Sequence, residues 1–175
     1  MTGLRSAARG TVVETVLLSV GHGRLWYRVR QADLGTAAPD EVARRLSGLV
    51  ASDAAGLLHS TSWRFAAGRV VLTYVALPDP ARGPCLRPVP LVSRCASAGP
   101  LAPSPESVST DDVAAHACRH LAYLRHTDPL VARRAREAPE LWALIDEFAP
   151  AVAGLLLQPT EPDATGLAGE PVHVA

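Results

Sequence analysis

Lysine is absent from this sequence, in which all 17 basic residues are arginine. They are balanced by 17 acidic residues, so the formal net charge is zero. A neutral chain lacks the general attraction to phosphate backbones and anionic lipid surfaces that an excess of basic residues provides. We therefore expect neither nucleic acid nor a membrane as a partner. The accompanying alanine and proline bias is typical of a GC-rich genome and indicates no mechanism.

Cysteine is scarce as well, and Cys85, Cys95 and Cys118 include no CxxC pair. An odd number at this spacing argues against a disulfide framework and against a zinc knuckle. No apolar run approaches the roughly 18 residues of a membrane span. The run at residues 12–20 is interrupted by Glu14, and no small-residue cleavage site follows it as in a signal peptide. We expect a cytoplasmic protein.

The length of 175 residues suits one domain with an appended helical segment. Strands are predicted at residues 11–20, 24–30, 57–65 and 69–77, and an amphipathic helix at 39–53. The predicted fold class is α+β, a small mixed sheet in the order β-β-α-β-β with a helix on it, followed by a C-terminal helical segment. We divide the chain into a flexible arm (1–10), an α/β core (11–77), a proline-rich loop or linker (78–107), C-terminal helices packing on the core (108–157) and a disordered tail (158–175).

The predicted helices have recognisable ends. In the first, Gly48 would be an interior residue and Gly56 would follow the C-terminus, with an apolar stripe of Val42, Leu46, Leu49 and Val50. Ser109 and Asp112 have the spacing of a capping box, which opens a helix to about residue 125. Two further helices are predicted from Pro129 and from Pro139, the last running to residue 157 with a kink at Pro150.

The segment from Gly35 to Leu57 resembles the box of the Nudix family. That box has a glycine, five residues, a glutamate and, at its far end, a glycine followed by an aliphatic residue. Gly35, Glu41, Gly56 and Leu57 stand in this register. The surrounding order of an upstream hairpin, a helix inside the box and strands after it is also similar to that family.

The positions that carry Nudix chemistry differ. The core arginine and first glutamate of the family correspond to Leu49 and Val50, and its paired glutamates to Asp53 and Ala54. Nudix hydrolysis needs clustered carboxylates, because hard divalent cations must be held while water attacks a pyrophosphate. The resemblance therefore implies a degenerate, non-hydrolytic domain that acts as a small-molecule or nucleotide-binding or regulatory module. It names no cofactor.

A polar string on the third predicted strand is the candidate ligand site. In a nucleotide pocket, Trp63 would stack on a ring, Arg64 would bind an anion and His59 would fix orientation, with Glu41 as a surviving box residue. The alternative is an ordinary strand in which Trp63 and His59 pack into the core. Strand alternation places His59 and Trp63 on one face and Arg64 on the other.

Two further hypotheses concern the C-terminal helices. His116, His120 and Asp112 share one side of a helix, which is a ligand set for zinc or iron in a metal-dependent hydrolase, or alternatively a polar flank of the buried stripe. The apolar last helix either packs on its own sheet or mediates self-association in a structural protein-interaction module. Both hypotheses stay open on the sequence alone.

Overall fold

The computed structural model describes residues 10–81, 86–92, 105 and 107–152. Five strands and four helices lie in this part of the chain. In chain order they are β1 (Thr11–Gly21), β2 (Arg24–Asp33), α1 (Pro39–Ser47), β3 (Leu57–Ala66), β4 (Arg69–Leu77), β5 (Arg87–Pro88), α2 (Thr110–Thr127), α3 (Pro129–Glu137) and α4 (Pro139–Ile145). The predicted α+β class and the order β-β-α-β-β are confirmed.

The strands form one mixed sheet in the order β3-β4-β1-β2-β5. Two antiparallel hairpins, β1–β2 and β3–β4, are joined through α1. They meet where β1 pairs with β4, and these two strands run parallel to each other. Both hairpin turns have two residues with positive φ, at His22 and Gly23 and at Ala67 and Gly68. Such turns match the right-handed twist of the flanking strands. The apolar runs of β1 and β4 follow from their central positions, since helices cover both faces there.

Helices cover the two faces of the sheet unequally. On one face, which we call the α1 face, Val42 and Ala43 pack against Val13 and Tyr74, and α1 lies mainly over β1 and β2. On the opposite face, the α2 face, α2, α3 and α4 bury the larger core, in which Trp142 and Leu121 are fully enclosed. Among the described helices, the short α1 therefore covers the β3 side of its face less than the β1 and β2 side.

The first helix is shorter than the sequence pattern indicated. It ends at Ser47, and Gly48 adopts a left-handed conformation with φ of 72°, donating its N–H to the carbonyl of Arg44. Gly48 is thus the terminating residue and not an interior one, because glycine at this position satisfies a free carbonyl of the last turn at little steric cost. Leu49 and Val50 consequently lie outside the helix, and the prediction that it extends to residue 53 was wrong.

The C-terminal helices begin where predicted. Ser109 and Asp112 form the capping box, with the Ser109 hydroxyl accepting from the Asp112 N–H and the Asp112 carboxylate accepting from the Ser109 N–H. The last helix, α4, ends at Ile145, so Pro150 follows it as non-helical chain and does not kink it. The predicted tail at residues 158–175, the end of the predicted helical segment, residues 1–9 of the arm and most of the proline-rich linker lie outside the described residues.

Candidate interaction surface on strand β3

A bulge in β3 decides which face its later side chains occupy. The ladder with β4 is regular except at Thr61, which has no partner residue across the ladder. Because side chains alternate between faces, one extra residue reverses the placement of every side chain after it. The prediction that His59 and Trp63 share a face was therefore wrong. His59 and Arg64 lie on the α2 face, and Trp63 lies on the α1 face.

Arg64 is bound to a buried carboxylate. Its Nη1 and Nη2 atoms lie 2.7 Å and 2.9 Å from the two carboxylate oxygens of Glu14, whose side chain is 0% exposed. Gln31 Nε2 donates to the same carboxylate at 2.6 Å and Thr73 Oγ1 at 3.2 Å. Burial by itself raises the pKa of Glu14, but hydrogen bonds and charge from Arg64, with the two neutral donors, bring the pKa below its usual value. The guanidinium is thus committed to a structural ion pair.

Trp63 and Phe65 project from the α1 face into solvent. They are 70% and 71% exposed, although each is a large apolar side chain. Their cross-strand neighbours Leu72 and Val70 are only partly buried, so the apolar surface continues onto β4. The alternative that Trp63 packs into the core is therefore wrong. We call Trp63 and Phe65 with Val70 and Leu72 the aromatic patch.

The outer side of the backbone beside the aromatic patch has no partner strand in the described part of the chain. Among the residues that the structure describes, β3 pairs only with β4 and forms the edge of the sheet. The β3–β4 turn is closed by Ala66 and Arg69, a pair that exchanges hydrogen bonds in a two-residue hairpin turn. Alternation then directs the N–H and C=O groups of Arg64 towards β4 and those of Trp63 and Phe65 towards the free edge. Exposed aromatic side chains and free backbone groups thus belong to the same two residues.

His59 lies on the other face of the strand, where it contacts a histidine of α2. The rings of His59 and His120 meet edge to face with centroids 5.4 Å apart, and Tyr123 stacks beyond His120 at 6.3 Å. Burial lowers the pKa of His120, as does the charge of His59, while a backbone hydrogen bond to Ala151 opposes this shift. Burial is also the main cause of the lowered pKa of His116. The lowered pKa values of His116 and His120 therefore favour the neutral form of these two side chains on α2.

The predicted metal ligands do not form a metal site. Within the described ranges, no group of three histidine, cysteine, aspartate or glutamate side chains is arranged so that it could hold a metal ion. Asp112 instead accepts hydrogen bonds from the backbone and hydroxyl of Ser109 at the start of α2. His116 and His120 lie on α2 beside the core, where neither His116 Nε2 nor His120 Nδ1 has a hydrogen-bond partner within the described part of the chain.

The Nudix-like positions are spread along the connection between the hairpins. Gly35 has a φ of 59° after β2, Glu41 is exposed in the first turn of α1, and Leu57 begins β3. Glu41 lies on the α1 side of the sheet, whereas His59 and Arg64 lie on the opposite face. The four predicted ligand-binding residues are therefore not brought together in one pocket.

Two hollows lie at other places on the surface. One, of about 580 Å³, lies between α2, α3 and α4 and has Arg125, His126 and Arg136 with small apolar side chains in its wall. The other, of about 370 Å³, lies near Arg24 and Leu91. Neither hollow includes His59, Trp63, Arg64 or Glu41, the residues that the sequence predicted to bind a ligand on the sheet.

Two residues of the β3 surface were missed at the level of the sequence. Glu14 interrupts an apolar run, and a carboxylate inside a central strand requires a buried partner, so this signal was available. Phe65 carried no such signal, because its exposure depends on the bulge.

Comparison with protein-family models, curated proteins and solved structures finds no match for this chain. None of the helices in the described residues has the length and apolar character needed to cross a membrane.

Proposed function

We propose that this chain is a non-catalytic protein-interaction module that binds an extended segment of a partner protein along β3. The observation that carries the proposal is the coincidence of a free sheet edge with the exposed Trp63 and Phe65. In β-strand addition, backbone hydrogen bonds supply affinity and side-chain contacts on alternate residues supply specificity. Large exposed aromatic side chains are also enriched at protein interfaces.

The proposal replaces the nucleotide pocket expected at the same strand. Arg64 already neutralises Glu14, so binding a phosphate with it would leave a buried carboxylate unpaired, at a cost of several kcal/mol. Trp63 would also have to stack on a ligand from the face opposite to Arg64. The degenerate Nudix-like relationship remains a prediction, and the interaction module does not depend on it. We further infer a cytoplasmic location from the unpaired cysteine spacing.

A random display library of 12-residue peptides tests the proposal directly. Peptides selected on the wild-type protein should lose binding to the double variant Trp63→Lys/Phe65→Lys, because two ammonium groups would replace the aromatic contacts at the edge. The matched control is Leu130→Lys on α3, since Leu130 is also a large exposed apolar residue, at 49% exposure. Peptides that bind all three proteins equally, or no enriched peptides at all, would refute the proposal.

Hydrogen exchange supplies a second readout on the same complexes. The amides of Trp63 and Phe65 should exchange quickly in the free monomer and slow down when a peptide adds to the edge. The amide of Arg64, which points towards β4, should be protected in both states and is an internal control. Slowing that spares Trp63 and Phe65 would show that the peptide binds elsewhere.

A small-molecule site is a second candidate, but at a different place. The hollow between α2, α3 and α4 combines Arg125, His126 and Arg136 with an apolar wall, and Asp146 pairs with Arg125 there. Its volume lies in the usual range for ligand sites, about 300–1,000 Å³. A thermal-shift screen of nucleoside mono- and diphosphates tests it. A stabilising nucleotide whose effect disappears in Arg136→Ala supports it, and no stabilisation by any nucleotide refutes it.

A further inference from the structure

The edge of β3 is complementary to a second copy of itself. If two β3 strands meet antiparallel with a two-fold axis at Arg64, Trp63 of each copy lies directly opposite Phe65 of the other. These are the two residues whose N–H and C=O groups point outward, so both opposite pairs can exchange hydrogen bonds. The same pairs place aromatic rings next to each other on the α1 face, where cross-strand aromatic contacts are stabilising. A single two-fold axis at Arg64 therefore allows both the backbone hydrogen bonds and the aromatic contacts.

We infer that the partner segment is β3 of a second copy of this chain, which joins two sheets into one continuous sheet across a two-fold axis at Arg64. The inference rests on the proposed function and names its partner. A two-fold axis makes every contact occur twice, so a short segment suffices to build a closed dimer.

Charge does not oppose this pairing. An axis at Arg64 brings two arginines opposite each other, which would be unfavourable for free guanidinium groups. Each Arg64 is instead neutralised by Glu14 of its own subunit and is held over its own sheet through Nη1 and Nη2. Natural edge strands are commonly protected from association by exposed charges or proline, and β3 contains no other charged residue and no proline. The formal net charge of zero adds no overall repulsion between copies.

The expected contact area is that of a weak dimer. A covered aromatic side chain buries about 150–250 Å². With Trp63 and Phe65 each more than two-thirds exposed, two copies would bury about 400–700 Å² of aromatic surface. Strand backbone and the partly exposed Val70 and Leu72 bring the total towards the lower limit of standard interfaces, about 1,200 Å². We expect a dissociation constant of about 1–100 µM, as is usual for small, reversible interfaces.

Sedimentation of the full chain between about 1 and 300 µM tests the inference over this range. The wild-type protein should pass from monomer to dimer as its concentration rises over this range. Hydrogen exchange at the amides of Trp63 and Phe65 should become slower over the same range. Trp63→Lys/Phe65→Lys should weaken the dimer by about 100-fold or more, the loss expected from removing aromatic residues at the centre of an interface. Leu130→Lys should leave it unchanged. A thermal melt of each variant verifies that the fold is retained.

Each other result is decisive. A wild-type protein that stays monomeric at the highest concentration overturns the second copy as partner, while selected peptides that still depend on Trp63 and Phe65 would leave the proposed function standing. A dimer that persists in Trp63→Lys/Phe65→Lys but is lost in Leu130→Lys overturns the inference and favours association through the C-terminal helices. Dimerisation without slowed exchange at Trp63 and Phe65 also overturns it.

Discussion

Replacing Arg64 by methionine should expose the energetic role of the buried ion pair. Methionine keeps most of the aliphatic length of arginine but removes the two hydrogen bonds and the positive charge that Glu14 receives. Glu14 would retain only Gln31 and Thr73, which are neutral donors, in a site where its side chain is 0% exposed. Removing one partner of a buried pair leaves an uncompensated charge and typically costs about 3–5 kcal/mol. For a chain of this size, that loss lowers Tm by about 6–20 °C.

The stability difference between the wild-type protein and Arg64→Met should change with pH in a direction that the pKa of Glu14 determines. In the wild-type protein the pKa of Glu14 is lowered, so its contribution is present above the ordinary value of 4.5 and is lost as pH falls through the folded-state pKa. In Arg64→Met, burial acts without the cation and raises the pKa of Glu14. A carboxyl with a raised pKa stabilises below its unfolded value and loses that contribution as pH rises. The difference between the two proteins should therefore be largest near neutral pH and shrink on acidification.

Urea unfolding of both proteins between about pH 4 and pH 8 measures this difference. Burial lowers the pKa of His116 and His120 in both proteins, so loss of stability on histidine protonation cancels in the comparison. The double variant Glu14→Gln/Arg64→Met is the control, because it removes both charges and should recover part of the lost stability. A loss below about 1 kcal/mol at neutral pH, or one that does not change with pH, would refute the reasoning.

Three further predictions concern residues outside β3. Gly48→Ala should lower the free energy of unfolding in urea by about 1–2 kcal/mol, because a side chain is disfavoured at the φ of 72° that Gly48 adopts. At an interior helical position, alanine in place of glycine would instead stabilise the protein, so equal or higher stability would contradict the observed helix end. Ser109→Ala should cost about 1 kcal/mol through loss of the capping box, and a change below about 0.3 kcal/mol would contradict its role. Cys118 is fully buried, and burial raises the pKa of its thiol. In the variant Cys85→Ser/Cys95→Ser, which leaves Cys118 as the single cysteine, this thiol should react with a disulfide reagent only as fast as the protein opens. Rapid labelling of the native state would contradict the packing of α2.

The elements of this fold follow from local patterns in the sequence. Alternation and apolar runs predicted β1 to β4, and proline or a capping box marked the start of each of the described helices. The helix ends were predicted less well. Gly48 had two consistent placements, inside a long helix or at the end of a short one, and the choice depends on packing of the following chain. The strand order, with β1 and β4 parallel at the centre, also depends on contacts distant in sequence.

The candidate site could not be predicted because it depends on one residue of register. Simple alternation grouped His59 with Trp63 and placed Arg64 on the other face. In the structure Arg64 shares the face of His59, and Trp63 is exposed on the opposite face. A bulge has little sequence signature of its own, and here it is stabilised by the partner strand through Thr61 Oγ1, which donates to the carbonyl of Thr73 at 3.3 Å.

Deleting Thr61 tests whether it is the extra residue. Because it has no partner across the ladder, its removal should leave a regular β3 in which Arg64 still faces Glu14 and Trp63 still faces solvent. The cost should be about 1–2 kcal/mol, for one hydrogen bond and a small buried side chain. Arg64→Met should then remain about as destabilising in the deleted background as in the wild type. If Thr61 were instead an ordinary member of an alternating strand, the deletion would turn Arg64 to the other face. Arg64→Met would then cause little further loss of stability in the deleted background, because the ion pair with Glu14 would already be broken. Trp63 would also become protected from solvent quenchers of its fluorescence.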